Sequence, residues 1–270
     1  MTTVYVDPIL ASAFNSLDAL ISFNGGGSWS GSGRPEQEAF LGKLGALTET
    51  IASLPPGAIE TIAARSAGPV NDFLARRGFA GNLREAGPQS LYAAAVLDLL
   101  VEWVTPGSAV QLALHDGRLA PGVRLKKGHF RVDGRVLSPE VKPGPIYVRM
   151  CESTTLDEGL AVIAGLDPSA PDWNYGAATF PMVSLDVDVD ASKMIGLRNG
   201  DWTVDQAFAR AKLRLDPKGA HAQAAAAMAA TRGIVKTFKI AGPFTIAFVT
   251  GEGKVAIAYH VTEEHFSAPV

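Results

Sequence analysis

The sequence predicts an α+β fold, and three observations carry that expectation. Apolar residues at helical spacing fill roughly the first 103 positions, and short apolar or β-branched runs fill 104–270; this segregation points to an α+β layout rather than alternating α/β units. The 270 residues are 47% hydrophobic and 19% charged, which is ample for a core and too apolar for a disordered chain. Near the C-terminus two apolar runs, 243–250 and 254–261, are joined by Gly251-Glu252-Gly253, the pattern of a hairpin. No internal repeat is visible, so a single domain over 1–270 is expected, mainly helical in 1–103 and mainly β thereafter.

The helices come first. Asp7 before Pro8 makes a good N-cap, and Leu10, Phe14, Leu17 and Ile21 share one helical face. Residues 24–33 form a Gly/Ser loop with no Lys-Ser or Lys-Thr at the head of a following helix, so the loop lacks the phosphate-cradling pattern; Trp29 reads as the anchor that packs it down. Residues 35–54 make a second helix on Phe40, Leu44, Leu47 and Ile51, stopped by Pro55-Pro56-Gly57. Short helices are expected at 58–65 and 70–77, and a longer one at 89–103, where Tyr92, Val96, Leu99 and Trp103 share a face. Strands are then expected at 108–114, 123–125, 129–132, 135–137, 146–150, 160–164 and 211–215.

Composition excludes several functions. The net charge is −3 and Arg124 with Lys126-Lys127 is too small a basic group for a phosphate-binding stripe, so no nucleic-acid partner is expected. The single cysteine, Cys151, rules out an intramolecular disulfide and a cysteine-built zinc site; as a nucleophile it would need a histidine nearby in space, and a buried structural thiol is the simpler reading. No apolar run is long enough to span a bilayer, and no secretory signal is visible, which makes a cytoplasmic location the default expectation. Asp186, Asp188 and Asp190 share one face if 186–190 is a strand; three clustered carboxylates could hold calcium or magnesium, or simply form the solvent face over inward valines, and no loop spacing of a calcium site supports the metal. His115-Asp116 could be half of an acid/base dyad, although neighbours in a strand point to opposite faces. With no serine-elbow or zinc-helix motif and no cofactor signature, an enzyme is not expected.

The stretch 211–261 organises the chain. A strand-like run leads into Asp216-Pro217-Lys218-Gly219, followed by AHAQAAAAMAA. By propensity that tract is a short helix. With period two, however, Ala220, Ala222, Ala224 and Ala226 form one uniformly small face, while His221, Gln223, Ala225 and Ala227 form the other, which suits a strand slipping between two others.

This arrangement resembles the serpins. The resemblance rests on the glycine-ended hinge 216–219, the alanine segment 220–230, and Phe238-Lys239-Ile240-Ala241-Gly242-Pro243-Phe244 before the final strand pair. Upstream, Phe180-Pro181-Met182-Val183-Ser184-Leu185 with Met194-Ile195-Gly196-Leu197, and more distantly Val4-Tyr5-Val6-Asp7-Pro8, are similar to further serpin segments. The chain is shorter than a typical serpin, the family's first helix is missing, Pro217 stands where an acidic residue is usual, and Ala220 where threonine or serine is common. The resemblance implies N-terminal helices packed on large mixed or antiparallel sheets, with an exposed loop at 219–237. It implies Gly219, Ala220, Ala222, Ala224 and Ala226 as the loop hinge and Arg232-Gly233 as the bond a serine protease would cut, with Gly233-Ile234 as the alternative. Arg232 is the only long basic side chain between Gly219 and Ile234, so a trypsin-like protease is the expected partner. The resemblance implies that after the cut the alanine segment would insert into the main sheet as an added strand. The other two readings are a non-inhibitory serpin-fold binder or scaffold and an unrelated α+β hydrolase or carrier.

Overall fold

The computed structural model describes residues 3–22, 28–81, 83–86, 90–166, 175–207, 209–220 and 236–268. In chain order these form β1 (Thr3–Tyr5), α1 (Asp7–Ser22), α2 (Pro35–Ala52), β2 (Ile59–Ala64), α3 (Ala67–Arg76), β3 (Tyr92–Leu97), β4 (Val101–Glu102), β5 (Ser108–Ala113), β6 (Leu119–Lys126), β7 (Phe130–Asp133), β8 (Val136–Pro139) and β9 (Ile146–Glu152). There follow α4 (Leu156–Ala164), β10 (Ala177–Pro181), β11 (Val183–Val189), β12 (Arg198–Asn199), β13 (Trp202–Thr203), β14 (Ala209–Asp216), β15 (Gly219–Ala220), β16 (Thr237–Lys239), β17 (Phe244–Thr250) and β18 (Val255–Val261). The architecture is α+β, as expected. The chain divides into two compact units, one comprising 1–5, 99–187 and 211–270, the other 6–98 and 188–210.

The first unit is built on a six-stranded sheet in the order β1-β18-β17-β9-β8-β7. All seven residues of β17 are buried, which explains why FTIAFVT reads as a continuous apolar run rather than an alternating one. The glycine turn after Thr250 closes the hairpin, with Gly253 at φ +80°, a conformation that disfavours a side chain. Helix α4 covers one face, where Leu156 and Ile163 pack with Cys151, Ala247, Val249 and Ala258. Gly159 makes this approach possible, since a Cβ there would lie 2.1 Å from the Thr245 hydroxyl. Two smaller sheets complete the unit, β16-β10-β6-β5 and β11-β14-β15-β4.

In the second unit α1 lies against α2 and against the β2–β3 pair. The face read from the sequence is the one buried: Leu10, Phe14, Leu17 and Ile21 are all at most 7% exposed. Trp29 does anchor its loop, with its ring centroid 4.6 Å from that of Phe14 and its Nε1 donating to Asp18 Oδ1 at 2.6 Å.

Three segments differ from expectation. Residues 58–65 and 89–103 are not helices; they contain β2 and β3, which pair antiparallel from Ile59↔Leu97 to Ala64↔Tyr92, and then β4. Helical spacing of Tyr92, Val96, Leu99 and Trp103 is a coincidence of an alanine-rich segment whose bonds are made across strands, so 1–103 is less helical than expected. Residues 160–164 are not a strand but the second half of α4, begun by a variant of the capping box: Thr155 Oγ1 accepts from Glu158 N at 3.2 Å, and the Glu158 carboxylate accepts from the N–H of Thr154, one residue before the N-cap, at 2.8 Å.

Candidate functional site: the hinge and its two anchors

The sequence before the loop folds into a tight hairpin. In β14 alternate residues Ala211, Leu213 and Leu215 are buried, so the strand has one inward face. Asp216 ends it. Its Oδ1 accepts from Lys218 N at 2.7 Å and from Gly219 N at 3.2 Å, an Asx-type turn, while Pro217 fixes its own φ and shortens the list of alternatives. The chain then turns back as β15, with Gly219 opposite Asp216 and Ala220 opposite Leu215.

β15 is paired on its other side too. Gly219 is in register with Glu102 and Ala220 with Val101, so these two residues lie between β14 and β4. The close approach explains the glycine: a Cβ at 219 would stand 2.2 Å from the Val101 carbonyl oxygen and 2.9 Å from Glu102 Cα, both backbone atoms that cannot step aside. Ala220 is 1% exposed.

Trp103 fastens the turn from below. Its indole Nε1 donates to Asp216 O at 3.1 Å and its backbone N to Lys218 O at 2.9 Å, and Gly107 N donates to Pro217 O at 2.7 Å. Each carbonyl from 216 to 218 therefore has a donor. Trp103 is buried, edge-on to Phe180 with ring centroids 6.2 Å apart. Asp216 Oδ2 is buried without a hydrogen-bond partner among the described residues.

A second anchor follows the loop. β16 runs parallel to β10, and Ile240 N donates to Thr179 O at 2.9 Å. Glu152 Oε1 then accepts from Ala241 N, from Gly242 N at 3.1 Å and from His115 Nε2 at 2.9 Å, while Ser153 N donates to Pro243 O at 3.1 Å. A Cβ at Gly242 would meet the His115 ring at 2.8 Å, so a larger residue here would push that ring away from Glu152. The loop is thus held at each end by a carboxylate that accepts two successive backbone N–H groups, Asp216 before it and Glu152 after it.

The remaining sequence candidates sort as follows. Gly219 and Ala220 form β15, paired with β14 and β4. Ala222, Ala224, Ala226, Arg232 and Gly233 lie outside the described residues. On β11 and beyond it, Asp186 faces Lys212 Nζ at 3.6 Å, Asp188 faces Arg210 Nε at 3.9 Å, and Asp190 Oδ1 accepts from Ser192 N at 2.8 Å, so each carboxylate has its own partner. Among the described residues no group of three His, Cys, Asp or Glu side chains is placed to hold a metal ion. His115 and Asp116 do not form a dyad: the ring turns to Glu152, and Asp116 binds the Arg118 backbone at 2.9 Å as well as its guanidinium, contacts that hold its carboxyl below the usual range. Cys151 is fully buried beside Gly159 O, 3.6 Å from Sγ, and burial pushes its thiol up to about 11, as expected of a structural cysteine.

Trp103, Asp216 and Glu152 were not singled out from the sequence as site residues. Only the Asp-Pro-x-Gly pattern carried a local signal, that of an Asx turn; Trp103 lies 113 positions from its partner.

No family model matches the sequence, and no curated protein does. Solved structures do match. Thyroxine-binding globulin in complex with thyroxine aligns with a TM-score of 0.61 at 11% identity, covering 96% of this chain and 92% of that one. Human glycosylated kallistatin aligns at 0.59 and 14% identity over 100% and 92%, and tengpin, a thermophilic serpin in the native state, at 0.58 and 11% over 97% and 88%. The chain has the serpin fold.

Proposed function

We propose that the chain is a serpin-type inhibitor of a trypsin-like serine protease, with 219–237 as the bait segment and Arg232-Gly233 as the bond attacked. The observation that carries this reading is the pairing of Gly219 and Ala220 between β14 and β4: the residues leading into the alanine tract already stand in a sheet, antiparallel to both neighbours. The protease serine would attack the Arg232 carbonyl, and the cut would let the tract continue the line that β15 has begun. Continued insertion would run beside β14 from Arg214 back towards Ala209. About six new ladder bonds on that side contribute roughly 3–9 kcal/mol. The small face of Ala220, Ala222, Ala224 and Ala226 suits a strand that must lie over a packed core.

Incubation with trypsin tests this directly. The expected result is a complex that survives denaturing electrophoresis, and a nicked product whose unfolding midpoint is well above that of the intact chain. Cleavage near Arg232 with neither result would overturn the reading. Ala224→Arg should convert the inhibitor into a plain substrate.

A second reading is favoured by the short β4. Only Val101 and Glu102 flank β15 on that side, and Pro217 stiffens the hinge, so trapping would draw its gain mainly from one ladder. The chain would then be a non-inhibitory binder. The 6–98 and 188–210 unit carries a small solvent-open groove of about 70 Å³, with Leu10, Phe14, Leu17, Tyr92, Met194 and Val204 in its wall. Cleavage without a complex and without a stability gain is the result that selects this reading.

A further inference from the structure

The sheet β16-β10-β6-β5 gathers cations that the chain keeps far apart. Thr179 on β10 is in register with Arg124 on β6 and with Lys239 on β16. Two residues along, Ala177 is in register with Lys126. Residues in register, and those two apart, share a face, so Arg124, Lys126 and Lys239 share one. Gly176 extends the same ladder, accepting from Lys127 N at 3.0 Å and donating to Lys236 O at 2.9 Å, which brings two more lysines to the end of the sheet, at the alternate position, whose side chains turn to the other face. Lys236 Nζ stands 4.6 Å above the Tyr175 ring. All four lysines are exposed.

These five cations have no ion-pair partner among the described residues. Several described cations elsewhere have a carboxylate partner: Arg77 with Glu60, Arg118 with Asp116 and Glu263, Arg135 with Glu158, Lys142 with Glu102, Lys193 with Asp7. The chain as a whole carries −3, so the patch runs against its general charge. The fold, by adding Lys236 and Lys239, enlarges what the sequence offered only as Arg124, Lys126 and Lys127.

We infer that this patch docks an acidic surface of a partner protein. In the setting of the bait-loop reading, on which this identification of the partner rests, that protein is the attacking protease. Lys236 lies four residues after Arg232, so a protein engaging the Arg232 bond is within roughly 14 Å of chain from the patch. The patch is compact. Neighbouring strands lie about 4.8 Å apart and alternate residues about 7 Å, so the shared face spans roughly 10 by 7 Å. That matches a cluster of carboxylates on a folded protein, whereas a nucleic acid would need a longer track of cations. Opposite charge next to a reactive segment raises the encounter rate and fades with salt.

The test uses the full chain and the variant Arg124→Glu/Lys126→Glu/Lys239→Glu, its folding checked by circular dichroism. At 25 mM NaCl, anionic trypsin should cut the parent about 10-fold faster than the variant, and the gap should close to about twofold at 300 mM, as screening of exposed charge requires. Cationic trypsin should prefer the variant. Equal rates for parent and variant at both salts overturn the inference. A labelled 20-residue polyglutamate, followed by anisotropy on the uncut chain, probes the patch without the loop. Binding that the variant abolishes supports the patch even if no cut occurs near Arg232, an outcome that would defeat the bait-loop reading alone. Tighter binding of oligothymidine or dextran sulfate than of polyglutamate overturns the inference.

Discussion

Gly219→Ala is the substitution that bears most directly on the hinge. The added Cβ would sit 2.2 Å from Val101 O, 2.9 Å from Glu102 Cα and 3.1 Å from Val101 C, all backbone atoms of β4. Two responses are available. Either β4 and β15 separate slightly, an overpacking strain of about 1–3 kcal/mol, or β15 leaves the sheet. Departure forfeits its ladder bonds at roughly 1 kcal/mol each and the burial of the Ala220 methyl at about 0.8 kcal/mol. The cheaper route sets the loss, at about 1–3 kcal/mol. For a chain of this size each kcal/mol moves the midpoint by about 2–4 °C, so a fall of roughly 2–12 °C is expected in a thermal scan by circular dichroism. Gly42→Ala is the control. Gly42 lies inside α2 with nothing within 4 Å of the new Cβ, and the change should stabilise by about 0.5–1 kcal/mol. A Gly219→Ala protein that melts within about 1 °C of the parent, or no lower than Gly42→Ala, refutes the claim that close backbone approach dictates this glycine.

Asp216→Ala removes the acceptor for two backbone N–H groups and should cost about 1–3 kcal/mol, with Asp216→Asn recovering part of it; an unchanged urea midpoint for the alanine variant would show that Pro217 alone sets the turn. Cys151 should be inert to a thiol reagent at pH 8 in the native chain and react in urea; prompt native labelling would mean that the α4 face opens readily. His260 is 5% exposed, with Nδ1 lacking a hydrogen-bond partner among the described residues, and burial holds its imidazole below its ordinary value. The unfolded chain therefore takes up this proton first as pH falls, so the stability His260 contributes is present above about pH 6.5 and is lost below it; His260→Gln should flatten the slope between pH 7 and 5, and an identical slope would exclude this group.

Local signals were enough for much of the fold. Asp7-Pro8 and the spacing of Leu10, Phe14, Leu17 and Ile21 fixed α1, and the Gly251-Gly253 turn fixed the β17–β18 hairpin, because each is a property of neighbouring residues. The misreadings arose where local preference was neutral. YAAAVL of β3 has no preferred period, and it becomes a strand because Ile59–Ala64 is available to pair with it. In α4 the signal was present and missed, since Thr155-x-x-Glu158 has the capping-box pattern. At the site, the resemblance pointed to Gly219 and Ala220, the two residues that pair as β15. It did not supply Trp103 or Glu152, whose roles exist only once distant strands are brought together.

The indole of Trp103 touches the hinge through a hydrogen bond to Asp216 O while its ring stays buried against Phe180. Any event that pulls Ala220 out of register, or draws more chain in behind it, must disturb the polarity around that one ring. The molecule therefore carries its own optical reporter at the hinge, and a chain in which Trp29, Trp173 and Trp202 are replaced by phenylalanine would let the emission of Trp103 follow loop movement in real time without an added label.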